Sequence, residues 1–589
     1  VVPIVPAGDN WQAALSDVRG VIADALATAP SQADIDREAN EIANFLQKEL
    51  DNERNEPAAR LADDIVRAVD TGEVVTSPAA QVGMFAAIRK TATPEALLAT
   101  TRRIFDGPVV RLVKVGPPGV EAQAAALAAA LATPAVAVAR SEGPAAATMA
   151  DLPPLGPPGQ VNETAVIQGL NARRVTFANG VTALISDNDV EPDKVRVNVR
   201  FGRGAAGLDP KGPALLWSGD YALAASGIGA LGQEALDELT NGRQIQLNFA
   251  VEEDAFEWSA ETRPADLADQ LRLFATKLAQ PGWDPAPVER LKLGLLTGFD
   301  QQETTPNGLI DRDLIGWLRG DDPRWRSPTR EEIAALTPAS FRAFWEPLLK
   351  SGPIEVQIFG DLGTVDIDAL LASTLGSLTP TAAPGDDAPR QIGFPAANSA
   401  PRIVRHRGDA GQAAALLAWP TGGGAGAMRT GRQLEVLAAI FNDRLFDRLR
   451  AQDGASYGPI VASEWPQGVD SGGYLLVGSL LAPKDIDRFY ATARDIVREL
   501  ATTPVTADEL ARNAGPVREQ YARALTGNLF WMYLLEGATR DPRLVRAALF
   551  IERDIAEVTP ADIQRLAQQY LTSERQWSLV ILPEDRGPR

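Results

Sequence analysis

Among the 589 residues there is one histidine, His406, and no cysteine. A catalytic zinc site draws two or three histidines, often with a carboxylate, from one constellation. This chain alone cannot supply them. Thiolate metal sites and disulfides are excluded as well, and the redox compartment stays open. His406 stands in RIVRHRGD beside three arginines and reads as an exposed strand residue rather than a ligand. GIGALG, with Gly227, Gly229 and Gly232, spells G-x-G-x-x-G. The helical run LLWSGDYALAA precedes it where a dinucleotide fingerprint needs a strand, so it reads as a loop ending a helix. TGGGAG from Thr421 lacks the Lys-Ser/Thr ending of a phosphate cradle and reads as a loop between strand and helix. The apolar GNLFWMYLLEG around Trp531 reads as an ordinary core helix, with an interface between modules as the alternative.

The elements that must position any such residues come in repeats. Three segments share one layout: ATPEALLATTRRIFDGPVVRLVKVG from Ala92, LTPASFRAFWEPLLKSGPIEVQIFG from Leu336 and VTPADIQRLAQQYLTSERQWSLVIL from Val558. In each, Thr93, Thr337 or Thr559 is suited to an N-cap, followed by Pro94, Pro338 or Pro560 at the first helical position. Leu97, Phe341 and Ile563 fall where a hydrophobic staple closes the helix start. A β-branched run then reads as the strand that closes the module. Upstream of each lies a pattern of helix, Pro-containing turn and helix. The second and third copies add a lead-in of strands and a helix. In the middle copy this is VTFANGVTALIS, whose Asn179-Gly180 signals a hairpin, then VRVNVRFG. In the last it is AAALLAWP, a long helix from about Met428 to Arg450, then YLLVGSLL. The first copy begins at what would be the middle of a module.

The length suggests about three or four domains. The repeats divide it into a partial module over 1–133, a Pro/Ala/Gly-rich linker over 134–165, a module over 166–375, a second linker over 376–400 and a last module over 401–589. Apolar residues at 45% and charged residues at 23% are ordinary for a globular chain. The formal charge of −20 argues against a nucleic-acid or anionic-membrane partner. No apolar run reaches the roughly 18 residues of a membrane span. The chain opens with VVPIVPAGDN, without initiator Met or signal-peptide core, and is expected to be processed or a fragment. Its acidic, Cys-free, Ala/Pro-rich composition suits the bacterial periplasm, with the cytoplasm as the alternative.

This pattern resembles the C-terminal portion of the pitrilysin/insulin-degrading-enzyme family of zinc metallopeptidases. That family is built from four such modules in two halves that close like a clamshell on a peptide. The resemblance implies an α+β fold of repeated sandwich modules, helices packed on a mostly antiparallel sheet, with this chain the larger part. FNDRLFDRLRAQDGASYGPIV is similar to the family's R-x6-Y element, which implies that Arg450 and Tyr457 contact the scissile carbonyl and the transition state. A fixed guanidinium and a phenol can stabilise such an oxyanion.

The zinc signature of the family is H-x-x-E-H on the first helix of an active module. The matching stretch here is GPALLWSGDYALAA, in which Leu215 and Gly219 replace the His ligands and Ser218 the general base. The resemblance therefore implies no metal on this chain. Zinc is expected on an N-terminal polypeptide carrying H-x-x-E-H, either a separate subunit or the other piece of a nicked precursor, with peptides as substrates. A catalytically inactive scaffold subunit of the same fold is the alternative.

Overall fold

The computed structural model describes residues 2, 4, 10–53, 58–105, 124–137, 147–212, 214–381, 391–453 and 458–584, with all their side chains except those of residues 52, 59 and 450–453. The repeated Thr-Pro pairs do what their chemistry implies. Thr93 Oγ1 accepts from Ala96 N at 3.3 Å, Thr337 Oγ1 from Ser340 N at 3.1 Å, and Thr559 Oγ1 from Asp562 N at 3.2 Å. Each Pro opens its helix: Pro94–Phe105, Pro338–Leu349 and Pro560–Tyr570. Phe341 and Ile563 are buried, while Leu97 is half-buried.

The chain divides into two units, the first comprising Val1–Thr148 with Glu234–Arg243. Its described elements are helices: Trp11–Ala27, Gln32–Asn52, Ala58–Thr71, Pro78–Arg89, Pro94–Phe105, Ala124–Ala132 and most of Gln233–Thr240. Ser31 and Asp34 form a capping box on the second, and Arg89 Nη2 donates to Asn40 Oδ1 at 2.7 Å, tying the fourth to it. The strand expected to close this module falls within 106–123, outside the described residues.

The second unit holds two sheets. The first contains β1 (Val161–Val166), β2 (Arg173–Phe177), β3 (Thr182–Asp187), β4 (Val195–Phe201), β5 (Asn248–Val251), β6 (Phe256–Thr262) and β7 (Ile354–Gly360). Its order is β1-β2-β3-β7-β4-β6-β5, antiparallel throughout except for the β3–β7 pair. The Asn179-Gly180 hairpin joins β2 to β3, with Gly180 at a φ of 84°. The second contains β8 (Arg402–His406), β9 (Ala413–Pro420), β10 (Pro459–Glu464), β11 (Tyr474–Leu481) and β12 (Trp577–Pro583). Its order is β10-β11-β9-β12-β8, and only β12–β8 is parallel. Helices on a mostly antiparallel sheet is thus the architecture of both modules.

Each strand pleat sends alternate residues to opposite faces. On β4, Val195, Val197, Val199 and Phe201 enter a core with Trp258, Phe274 and Trp345, contributed by β6 and by the helices Leu267–Ala279 and Pro338–Leu349. Leu184 and Phe359 point the other way, into the core of the second module. The helix Asn528–Leu534 packs there, and Gln357 Nε2 donates to Met532 O at 3.1 Å. The run around Trp531 thus lines the interface between modules while Met532 and Leu534 also fill the core, because its helix bridges both.

The arrangement is reciprocal. On β9, Ala413, Ala415, Leu417 and Trp419 face the second module's own helices. Ala414, Leu416 and Ala418 meet Leu309, Trp317 and Leu318, from the first module's helix Pro306–Leu318. His406, expected to be exposed, is fully buried at the end of β8. Its Nδ1 accepts from Gly408 N at 3.1 Å, and its Nε2 therefore donates to Gln412 O at 2.8 Å. The loop 407–412 folds over the ring and satisfies both nitrogens, which lets a polar side chain be buried.

If the Thr-Pro caps carry the helix starts, Thr559→Ala should lower unfolding stability by about 1 kcal/mol and Thr559→Ser by much less. Denaturant titration of the two variants against wild type checks this.

Candidate functional site

The stretch that the resemblance sets against the zinc signature contains a 3₁₀ turn, Leu216–Ser218, and runs into the short helix Gly219–Ala224. Ser218 is fully buried. Its Oγ donates to Leu215 O at 2.5 Å and accepts from Trp345 Nε1 at 3.1 Å. A Cβ on Gly219 would lie 2.4 Å from Trp345 Cζ2 and 3.0 Å from Phe249 Cε1. The indole is itself held edge-on by Phe249 at 5.4 Å and Phe256 at 5.5 Å. An aromatic core therefore occupies the space that side chains at 215–219 would need to converge on an ion. Among the described residues no group of three His, Cys, Asp or Glu side chains could hold a metal. The residues present do not fit zinc.

The far end of the helix is closed by Lys277, which is buried. Its ammonium donates to Leu223 O at 2.9 Å and to the carbonyl of Ser226. A cation on the last carbonyls is favourable, while burial pushes the Lys277 pKa down to about 7.

Beside this helix opens a cavity of about 660 Å³. Its charged lining comes from both modules: Asp220, Glu252, Glu253, Arg312, Arg319, Arg324 and Arg326 from the first and Glu464 from the second, with Tyr474 of β11 beside it. Trp217, Phe299 and Ile315 supply apolar wall. Arg319 donates to the Gly472 carbonyl, stands 3.7 Å from Glu253 and lies over the Tyr474 ring at 5.6 Å. Burial pushes the Asp220, Glu252 and Glu464 pKa values up, and the charge of Glu253 adds to the last two. Burial pulls Arg319 down. Four acids share the cavity with four guanidinium groups, so its wall is polar and mixed in charge.

Arg450 belongs to the long helix Met428–Asp453, but its side chain and all of Tyr457 lie outside the described residues. Two neighbouring arginines of that helix are engaged elsewhere: Arg444 pairs with Glu509 at 2.7 Å and Arg448 with Glu499 at 2.6 Å. The acids of the cavity were not singled out in the sequence. The run Glu252-Glu253-Asp254, directly after an edge strand, is the signal that marks them.

Residues 335–514 match the family model of the Peptidase M16 inactive domain. Over that stretch the chain carries an M16 inactive domain. Its fold is similar to that of the ferredoxin protease FusC, crystallised in complex with Arabidopsis ferredoxin, at a TM-score of 0.66 and 15% identity over 98% of this chain and 64% of that one. The periplasmic protease PqqL from Escherichia coli superposes at a TM-score of 0.62 and 14% identity, over 97% of this chain and 63% of PqqL. A peptidase M16 inactive domain from Pseudomonas fluorescens matches at a TM-score of 0.56 and 17% identity, over 71% of this chain and 100% of that domain. The chain thus spans less than two thirds of FusC and of PqqL. No curated protein sequence matches it. No described helix is long and apolar enough to cross a membrane.

If Trp345 fills the zinc position, rewriting the signature should not restore it. The triple variant Leu215→His, Ser218→Glu, Gly219→His is expected to bind no stoichiometric zinc. Gly219→Ala alone should destabilise by about 1–3 kcal/mol through overpacking. Metal analysis and thermal unfolding of the two variants check this.

Proposed function

We propose that this chain is the C-terminal part of a zinc-dependent endopeptidase that encloses and cleaves peptides. It contributes substrate binding and transition-state contacts. Zinc, its ligands and the general base belong to an N-terminal polypeptide carrying H-x-x-E-H, as a separate subunit or as the other piece of one precursor. The observation that carries the reading is the aromatic filling of the signature position by Trp345 and Phe249, in a chain matched to an M16 inactive domain. FusC and PqqL, both proteases, extend well beyond the part this chain covers.

The first unit supports the need for a partner. The helix Ala58–Thr71 has Leu61 55%, Val66 59% and Val69 67% exposed, an apolar stripe of the kind that marks an interaction surface. Within the complex, Arg450 and Tyr457 hydrogen-bond the substrate carbonyl as charge develops on it. The cavity beside the degenerate helix, lined by acids and arginines together with Trp217, Phe299 and Ile315, offers a place for part of the peptide. The periplasmic location of PqqL and the composition of this chain favour the bacterial periplasm.

The test is to reconstitute the chain with its zinc-bearing partner and follow peptide cleavage together with thermal stability. Tyr457→Phe should lower turnover by about 10²–10³ with little change in melting temperature. Arg450→Lys, which keeps charge but loses the planar fork, should also weaken peptide binding. Wild-type turnover in the Tyr457→Phe complex would end that assignment. A stable complex without any cleavage would favour the inactive-scaffold reading.

A further inference from the structure

On β4 the residues that do not enter the core point to the face covered by the second module, and Arg200 is among them. It is 2% exposed, and four carboxylates meet it. Asp254 Oδ1 lies 2.6 Å from Nη2, Glu257 Oε2 3.7 Å from Nε, Glu536 Oε2 3.8 Å from Nη2 and Glu355 Oε1 4.0 Å from Nη1. The first three acids and the arginine are not all from one side. Arg200, Asp254, Glu257 and Glu355 come from the first module, whereas Glu536 follows the second module's helix Asn528–Leu534.

The four acids are not equivalent. Asp254 has the short contact to Arg200. Glu355 accepts from Gly537 N at 2.7 Å, from Thr539 N at 3.1 Å and from the Thr539 hydroxyl, so its charge is well held by the second module. Among the described residues, Glu257 and Glu536 receive no hydrogen bond, and the Arg200 guanidinium is the cation that opposes the acids around them. Glu252 also faces the cluster, and Tyr533 lies near Glu536. With every acid ionised, one guanidinium would face at least four negative charges away from water, where like charges repel strongly. The cheapest relief is a proton on one of the two acids that nothing else satisfies.

We propose that this junction is a proton-operated latch between the two sheet modules: Glu257 or Glu536 carries a proton when the modules are closed on each other, and losing it in base loosens the turn 536–541 from the first sheet. Burial pushes Glu257 up to about 7 and Glu536 up to about 8, with Arg200 opposing and the neighbouring acids adding to the rise. Both folded-state values exceed the ordinary carboxylate value, so between those limits the folded junction holds more protons than the opened one. Its stability is present below the ordinary value and is lost as pH rises through 7 to 8. For each such proton the closing constant falls by up to about tenfold per pH unit. Lys277, lowered to about 7 by burial, titrates in the same window with the opposite sign. The decisive quantity is therefore the difference between wild type and a variant that removes one cluster acid.

Native-state hydrogen exchange of the full chain reads this locally. Corrected for intrinsic exchange rates, protection of the backbone over 536–541 should fall by about tenfold or more between pH 6 and pH 8.5 in wild type. In Glu536→Gln, which keeps the shape and removes the charge, it should change much less. Glu257→Gln provides a second variant and should flatten the profile in the same direction. Equal pH dependence in wild type and both variants would overturn the latch. Should neither variant fold, protection over 536–541 in wild type that does not change from pH 6 to pH 8.5 would overturn it equally.

Discussion

Each sheet of the second unit has one face that its own module leaves bare, and a helix from the other module covers it. The helix Asn528–Leu534 lies on the first sheet, where Gln357 reaches Met532 O and Glu355 takes the N–H groups of Gly537 and Thr539. The helix Pro306–Leu318 lies on the second, with Leu309 and Trp317 against Ala414, Leu416 and Ala418. Neither module can bury both faces of its sheet alone. The central strands β7 and β9 are buried almost from end to end for this reason. The rest of the unit follows from this exchange, including the shared cavity with Glu464 and Tyr474 on one wall and Asp220 and Arg319 on the other.

The two contacts differ in chemistry. The face of β9 that meets Leu309 and Trp317 is apolar and small, so it packs without specific partners. The face around β7 is polar and charged, and a buried polar surface is tolerable only when its groups are satisfied. Gln357 and Glu355 are engaged by backbone groups of the second module, whereas Arg200 has more acids than it can neutralise. The junction is therefore specific in register and sensitive to protonation. At the degenerate helix an opposite choice was made. Trp345, Phe249 and Phe256 close the position into dry core, and Ser218 keeps only enough polarity to pair with the indole. Side chains packed in this way stabilise the helix and leave no room to converge on an ion.

Much of the fold was legible because it rests on local chemistry. The three repeated Thr-Pro pairs cap their helices through neighbouring backbone, and Asn179-Gly180 makes the β2–β3 turn with Gly180 at positive φ. The resemblance to the M16 inactive domain was legible for a related reason, since it rests on a capped helix followed by a closing strand that recurs in both modules of the second unit. What escaped depends on tertiary pairing. His406 among arginines looks exposed, and only the return of the loop 407–412 over its ring explains its burial. Arg196 and Arg200 alternate with valines on β4 as solvent-facing residues would, so nothing local announces that Arg200 lies under a second module. GNLFWMYLLEG serves a core through Met532 and Leu534 and an interface through the Met532 carbonyl, while Leu529 and Tyr533 stay exposed. Tyr457 and the Arg450 side chain, which carry the resemblance to an R-x6-Y element, fall outside the described residues and rest on that resemblance.

The proposed function gives this chain the work of positioning and enclosing peptide and leaves the metal to another polypeptide. Metal analysis of the isolated, refolded chain after equilibration with zinc tests it most directly. The account predicts no stoichiometric zinc, because Trp345 occupies the position and Leu215, Ser218 and Gly219 offer neither ligand nor base. One tightly bound zinc per isolated chain would contradict it.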